Sequence, residues 1–238
     1  MLKKIFYIIV IFIFGMFGGI FANQIFWPYF VERPLFYKYN LDRSPVYVTE
    51  RKEIVIKENE ALQNAIEKVE KAIIGIEATA KTGNIIKGSG LIVTSDGLVV
   101  ALSEILPSND NFSFLVNGKV TKYQILKRDV KENLVLIKLE GDRFSTVGFS
   151  DFEKIKLGER VFLMGFVKEN NTIKKIVNDG VIRYISDIII DTNIYENNNI
   201  KGSPVFDIEG NFIGLGSIDK GGRVVVIPVD KIKNFIGL

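Results

Sequence analysis

The chain has 238 residues, 47% of them apolar and 25% charged, with a net charge of +3. That is enough to bury a sizeable core in one large domain or two small ones. It is too little charge for a nucleic-acid partner, since no basic cluster with interleaved aromatics accompanies it. Cysteine and histidine are both absent, which excludes disulfides, thiolate nucleophiles, the usual zinc ligands and any serine–histidine–aspartate triad. Neither a cofactor nor a resident metal is expected.

In chain order, "MLKK" precedes "IFYIIVIFIFGMFGGIFA", uncharged from Ile5 to Val31 and strongly apolar through Ala22. This span is long enough to cross a bilayer, and Trp27, Tyr29 and Phe30 suit the far interface. Lys3 and Lys4 favour a cytoplasmic N-terminus, sending the rest of the chain out of the cytoplasm. A cleaved signal peptide competes with an anchor, but Ile20 and Phe21 before Ala22 make a poor small-x-small cleavage site. Residues 1–27 are thus expected as cytoplasmic start and membrane anchor. Residues 28–57, which mix aromatics, prolines and charges, are expected as an extended spacer, and 58–238 as a folded domain. The stretch "FWPYFVERPLFYKY" suits either a homo-oligomer contact or a plain stalk.

From Asn59, "NEALQNAIEKVEKA" puts Leu62, Ala65, Ile66, Val69 and Ile73 on one helical face, with Asn59 as N-cap. Between about 73 and 227 the pattern is short strands, among them "GSGLIVT", "GLVVAL", "VTKYQILKR", "LVLIKLE", "IKKIVNDGVIRYI", "NFIGLGSI" and "RVVVIPV". Links such as "SDG", "NG", "EG", "NDG" and "GG" suit hairpins. About twelve strands with almost no helix predict an all-β fold, sandwich or barrels. A terminal helix is expected from "PVDKIKNFIGL".

Three stretches acquire meaning from their order: "GSGLIVTSDGLVVALSEIL" (88–106), "DVKENLVLIKLE" (129–140) and "IDTNIYENNNIKGSPVFDIEGNFIGLGSIDKGGRVVVIPVDKI" (190–232). Together, over roughly 60–238, they resemble the HtrA (DegP-like) family of trypsin-fold serine proteases. "AIEKVEKAIIGIEA" is also similar to the helix that opens the family's protease domain. The resemblance implies two six-stranded antiparallel β-barrels with a cleft between them.

Carried over position by position, the resemblance puts Glu104 at the family's histidine, with Ser103 before it, and Asn133 at the aspartate. In "NIKGSPV", Pro204 anchors the register: Lys201 takes the nucleophile position, Gly202 the glycine after it and Ser203 the second glycine. Asn199 and Ile200 take the glycine and asparagine that precede the nucleophile and shape the oxyanion hole. The resemblance therefore implies a pseudoprotease with no triad member in place. A hydroxyl without a base does not attack, and an oxyanion hole cannot replace the attack itself. Glu104 and Lys201 would then face each other as an ion pair, with Asn133 within reach of the carboxylate.

The rival enzyme reading is a Ser-Lys dyad, Lys201 as base with Ser103 or Ser203 as nucleophile. It needs a neutral lysine, which Glu104 nearby opposes. A glycosidase-like carboxylate pair (Glu104 with Glu196, Asp191 or Asp207) or a calcium loop in "DTNIYENNN" has no distinguishing pattern. Without catalysis, docking of extended peptides or unfolded segments in the cell envelope by strand addition would survive. The family's C-terminal PDZ module is expected to be absent.

Overall fold

The structure is a computed structural model; it describes residues 2–31, 60–79, 83–107, 111–116, 119–169 and 172–238. The chain divides into Met1–Ile56 and Lys57–Leu238.

In the first unit, helix α1 spans Leu2–Phe21 and the helical course continues over Ala22–Val31. Its apolar residues lie on all sides, so it has no polar face to turn toward water. The stretch Lys3–Gln24, 22 residues of mean hydropathy 2.6, is long and apolar enough to cross a membrane, and none of it is buried. Residues 28–31 are helical where the sequence suggested the start of an extended spacer. From 32 on, the expected spacer and most of the aromatic stretch lie outside the described residues.

The second unit opens with helix α2, residues 60–69. Ala65 and Val69 are buried and Leu62 and Ile66 partly so, as the helical spacing predicts. The expected cap, Asn59, lies outside the described residues. Ile73 does not extend the helical face. The helix tightens into a turn at Glu70–Ala72, and the β-branched run Ile73, Ile74, Ile76 starts strand β1, Ile73–Thr79. Ile73 still reaches the same core, at 2% exposure.

Strands β2 (Ile85–Ile92), β3 (Leu98–Leu102), β4 (Asn111–Val116), β5 (Lys119–Thr121), β6 (Tyr123–Asp129) and β7 (Leu134–Leu139) join β1 in one antiparallel sheet. Its order is β5-β4-β1-β2-β3-β7-β6. The fold is the expected trypsin-like one, but this sheet is a half-barrel of seven strands rather than a closed barrel of six. The run "VTKYQILKR", read from sequence as one strand, breaks at Lys122, so its two parts end up as the two edges of the sheet.

Strands β8 (Arg160–Glu169), β9 (Thr172–Ile185), β10 (Ile190–Tyr195), β11 (Pro204–Asp207), β12 (Phe212–Ile218) and β13 (Arg223–Pro228) close a six-stranded barrel in the order β10-β13-β12-β11-β8-β9. Asn178-Asp179-Gly180 is no link: it runs within β9, opposite Leu163, Phe162 and Val161. The polar side chains have partners there. Asn178 donates to Glu196 Oε1 at 2.9 Å, and Asp179 pairs with Arg160 at 2.9 Å. Helix α3, Val229–Ile236, follows, with Pro228 as the N-cap residue.

Two-residue periodicity explains how the sheets join. Along β8, Val161 and Leu163 point into the barrel, while Phe162 and Met164 point into the core shared with the first sheet. Val205 and Phe206 of β11 divide the same way. Phe162, Phe206 and Phe212 stack at centroid distances of 5.4 and 6.1 Å on the shared side, each fully buried. Burial of this kind is worth roughly 2–3 kcal/mol per ring. It holds the C-terminal end of β3, the start of β7 and the loop before β11 against one another.

Candidate functional site

Antiparallel pairing of Leu102 with Leu134 makes the residues just after β3 neighbours of those just before β7. After β3 the chain makes a tight turn, Ser103–Ile105. Before β7, Asn133 adopts a left-handed conformation (φ 56°), which asparagine tolerates better than most residues. Its carbonyl accepts the Ser103 N–H at 3.0 Å and its Oδ1 the Glu104 N–H at 2.9 Å. Its Nδ2 donates to Glu104 Oε1 at 3.1 Å. Arg128 braces the turn from β6, donating to Ser103 Oγ at 3.3 Å and to the Leu106 carbonyl.

Lys201 comes from the closed barrel, one residue after the short turn Asn198–Ile200. Its carbonyl accepts the Ser89 N–H of β2 at 2.9 Å, while the Gly202 N–H donates to Gly216 at 2.8 Å. This crossing explains the glycines of "GSG" and "KGS". A Cβ at Gly88 would lie 2.6 Å from the Lys201 carbonyl oxygen, and one at Gly202 2.4 Å from that of Ser89.

So held, Lys201 Nζ donates to Glu104 Oε2 at 2.6 Å. Ser217 of β12 donates to Glu104 Oε1 at 3.0 Å. The structure thus brings Glu104, Asn133 and Lys201 together, and adds Ser217, which sequence reasoning missed. The available signal was its place in "GLGSI", on the strand that pairs with the one following the Lys201 loop. The pair is mostly covered, with 23% of the lysine and 32% of the glutamate side chain exposed. Burial alone would raise the Glu104 pKa. The hydrogen bonds from Lys201 and Asn133, the ammonium charge and the Ser217 hydroxyl outweigh it, and the net shift is downward from the ordinary 4.5.

A carboxyl whose folded pKa is depressed stabilises the fold above its unfolded pKa, and that contribution is lost as pH falls through the folded value. Lys201→Met is therefore expected to cost about 1–3 kcal/mol at pH 7, between exposed and buried pairs. Lys201→Met with Glu104→Gln should regain most of that loss, and the coupling should fade in acid below pH 4.5. Denaturant titrations of the four-member cycle at pH 7 and in acid check this. A Lys201→Met variant as stable as the parent at pH 7 would show a pair screened by solvent.

The other predicted site residues are placed as follows. Ser203 is 2% exposed and its Oγ donates to the Ile200 carbonyl at 2.6 Å. A Cβ on Gly165 would sit 2.2 Å from that Oγ, so the hydroxyl packs inward against β8. Ser103 is 6% exposed, with its Oγ on Arg128. The Asn199 N–H donates to Asn197 Oδ1 at 2.9 Å, the Ile200 N–H to the Asn197 carbonyl at 3.4 Å, and the Lys201 N–H to the Asn198 carbonyl at 3.5 Å. The first two of those amides are turned into the loop by Asn197, a capping residue legible in the asparagine run but not singled out from it, and the third by the Asn198 carbonyl. Ile200 itself is buried in the barrel core.

Beside Lys201 lies a cleft of about 530 Å³, lined among others by Glu196, Ile218, Asp219, Lys220 and Gly222. Asp219 N–H donates to Arg223 across the β12–β13 ladder, so by alternation Gly216 and Ile218 face the other way. Gly216 there exchanges hydrogen bonds with Gly202 and Ser203; Ile218 is the next outward position, at the cleft.

Comparison with known proteins agrees with this architecture. Residues 82–215 match the family model described as Trypsin-like peptidase domain. The chain is similar to "Probable periplasmic serine endoprotease DegP-like" of Halomonas elongata, 26% identical over 136 residues, 55% of this chain and 29% of that protein. It is also similar to "Serine protease HTR4" of Rattus norvegicus, 29% identical over 166 residues, 63% of this chain and 33% of that protein. The chain thus spans about a third or less of the length of these relatives. Among solved structures, "HtrA-type protease AlgW with tripeptide" superposes with a TM-score of 0.65 at 18% identity, over 74% of this chain and 62% of that one. At that identity the likeness concerns the fold. The half-barrel and barrel, the order of the motifs and the family match converge: the chain belongs to the trypsin-like peptidase domain family, as a homologue of the HtrA serine endopeptidases.

Proposed function

We propose that this chain is a membrane-anchored pseudoprotease that holds extended peptide segments in its cleft, on the outer side of the membrane, without cutting them. The observation that carries this reading is the 2.6 Å contact between Lys201 and Glu104, capped by Asn133 and Ser217. Glu104, Asn133 and Lys201 stand where the family resemblance puts base, aspartate and nucleophile. A paired ammonium has no lone pair with which to attack or to accept a proton. The rewired Ser-Lys alternative finds little support, because the Ser203 hydroxyl donates its hydrogen bond to the Ile200 carbonyl and both serines are covered.

Peptide binding needs none of these groups. An added strand is held by main-chain hydrogen bonds, and Ile218 offers outward-facing N–H and C=O groups at the cleft. Anchoring is supported by the apolar span Lys3–Gln24, and Lys3 and Lys4 favour the cytoplasmic side for its start.

The test uses the full chain in detergent. Expected are no fluorophosphonate label, no cleavage of casein, and saturable binding of casein-derived peptides. A label on Ser103 or Ser203 that disappears in Lys201→Ala would overturn the reading in favour of a rewired serine endopeptidase. In membranes, alkaline carbonate should leave the chain in the pellet; its release there would remove the anchor.

A further inference from the structure

Positive charge is concentrated in one stretch of the half-barrel. Residues 119–131 hold five cations, Lys119, Lys122, Lys127, Arg128 and Lys131, against one acid, Asp129. The whole chain carries only +3, so the remainder is slightly acidic. Strands β5 and β6 follow one another through Lys122. Alternation turns Val120, Lys122 and Gln124 outward, while Tyr123 packs on Phe114 at 4.5 Å. At Leu126 the ladder with β7 shifts register, a bulge that leaves Leu126 and Lys127 both exposed. Val130 and Lys131 continue the exposed row on the turn that leads to Asn133.

The apolar members of this row are uncovered: Val120 is 71% exposed, Leu126 48% and Val130 75%. Few acids answer the lysines. Lys122 meets Glu140 at 3.6 Å, but both side chains stand in water, where such a pair is worth little. Lys127 donates to the Phe235 carbonyl at 2.8 Å and keeps its charge. Glu132 is taken by Lys231 at 2.8 Å, and Asp129 accepts the N–H groups of Lys131 and Glu132. Among the described residues, no carboxylate pairs with Lys119, Lys127 or Lys131. Arg128 alone of the five turns inward, onto Ser103 and Leu106.

We propose that this wall of the half-barrel binds the anionic phospholipid headgroups of the membrane that anchors the chain. It rests on the anchored reading above and assigns the folded domain a lipid-binding face of its own. Lysines with aliphatic side chains between them suit the headgroup boundary, where ammonium groups meet phosphates and apolar side chains reach the acyl region. A polyanion in water would leave Val120, Leu126 and Val130 in water as well. A second copy laid edge to edge would set lysine against lysine. Residues 32–59 span at most about 100 Å between the anchor and α2, whatever their conformation. Tethering of this kind gives effective concentrations of the order of millimolar, so a weak contact suffices. Each lysine near an anionic surface strengthens it roughly fivefold. Asn133, two residues past Lys131, holds Glu104, so the docked domain would keep that site close to the headgroups. Segments emerging from the bilayer would then be the nearest ligands for the cleft.

The chain has no cysteine, so a single environment-sensitive dye can be placed at Gln124→Cys. The full chain is reconstituted in nanodiscs of phosphatidylcholine alone or with about 30% phosphatidylglycerol, with and without lipids spin-labelled near the headgroup. In anionic discs at low salt the spin label is expected to quench about half of the emission. In neutral discs, or at about 0.5 M salt, it should quench less than about a tenth. Dye at Ile188→Cys, exposed on the closed barrel, should stay unquenched in every disc. Charge reversal at three lysines, Lys119→Glu, Lys122→Glu and Lys131→Glu together, should bring quenching at position 124 down to the neutral-disc level. Quenching that is absent, equal in both kinds of disc, equal at both dye positions or unmoved by the reversals overturns the proposal. So does a dye response that needs two copies in one disc, which marks a contact between copies. In each of those cases the chain still sits in the discs, and the anchored reading stands. A chain that never enters the discs overturns both.

Discussion

A triple variant, Glu104→His with Asn133→Asp and Lys201→Ser, is expected to stay nearly inert toward a fluorogenic peptide, and adding Asn197→Gly is expected to raise its kcat/KM by about 10²-fold. The reason lies in the loop rather than the triad. Restoring base, aspartate and hydroxyl supplies a nucleophile, but acyl transfer also needs donors aimed at the developing oxyanion, and each is worth about 10²–10³ in rate. In trypsin-fold proteases those donors are the backbone N–H groups of the residue two before the nucleophile and of the nucleophile itself, which the family resemblance aligns with residues 199 and 201. Here the first is donated to Asn197 Oδ1 at 2.9 Å and the second to the Asn198 carbonyl at 3.5 Å. Glycine at 197 removes the side-chain acceptor that fastens the turn and frees the 199 amide. Near-UV circular dichroism would establish that both variants are folded. A kcat/KM that does not respond to Asn197→Gly would show that the turn is no barrier.

Gly202→Ala is the second large effect, expected to lower stability by about 2–5 kcal/mol. At φ 76° the backbone of residue 202 is left-handed, which costs an alanine about 1–2 kcal/mol. Its Cβ would also meet the Ser89 carbonyl oxygen at 2.4 Å and Ile105 Cδ1 at 3.2 Å. A backbone atom cannot step aside as a flexible side chain can, so relieving the clash means parting the loop from β2, at a further 1–3 kcal/mol or so. For a domain of this size the sum corresponds to a fall in Tm of roughly 4–20 °C. Because the same loop presents Lys201, Gly202→Ala should also loosen the pair with Glu104 and flatten the acid limb of the stability curve. Thermal unfolding of the full chain in detergent, followed by circular dichroism at pH 7 and in acid, measures both. A change in Tm under 2 °C would mean that the loop is not clamped where the carbonyl of Ser89 stands.

Much of the fold was legible because its signals are local. The spacing of Leu62, Ala65, Ile66 and Val69 marks a helix, and the short apolar runs "RVFLMGF" and "RVVVIPV" mark strands. The errors arose where a local signal competes with long-range pairing. Asn178-Asp179-Gly180 has turn composition, yet lies within β9 because the β8 ladder and the partners Glu196 and Arg160 satisfy its polar groups. The run 120–128 has strand composition throughout, yet breaks at Lys122 because its halves belong to opposite edges of the half-barrel. Ile73 has helical spacing, yet a β-branched run pulls it into β1.

At the site, the residue types at 104, 133 and 201 and the absence of histidine are covalent facts, readable without coordinates. So is the apolar N-terminal span, because its length and lack of charge need no partner to be recognised. What only the tertiary structure decided is the company these residues keep. Ser217 reaches Glu104 from 113 positions away, Asn197 turns inward the amides that follow it, and Glu196 and Asp219 face one cleft from different strands. Contacts of this kind come from the closure of a barrel and the docking of two sheets. Packing on both faces of each strand sets those geometries, and no stretch of sequence carries them alone.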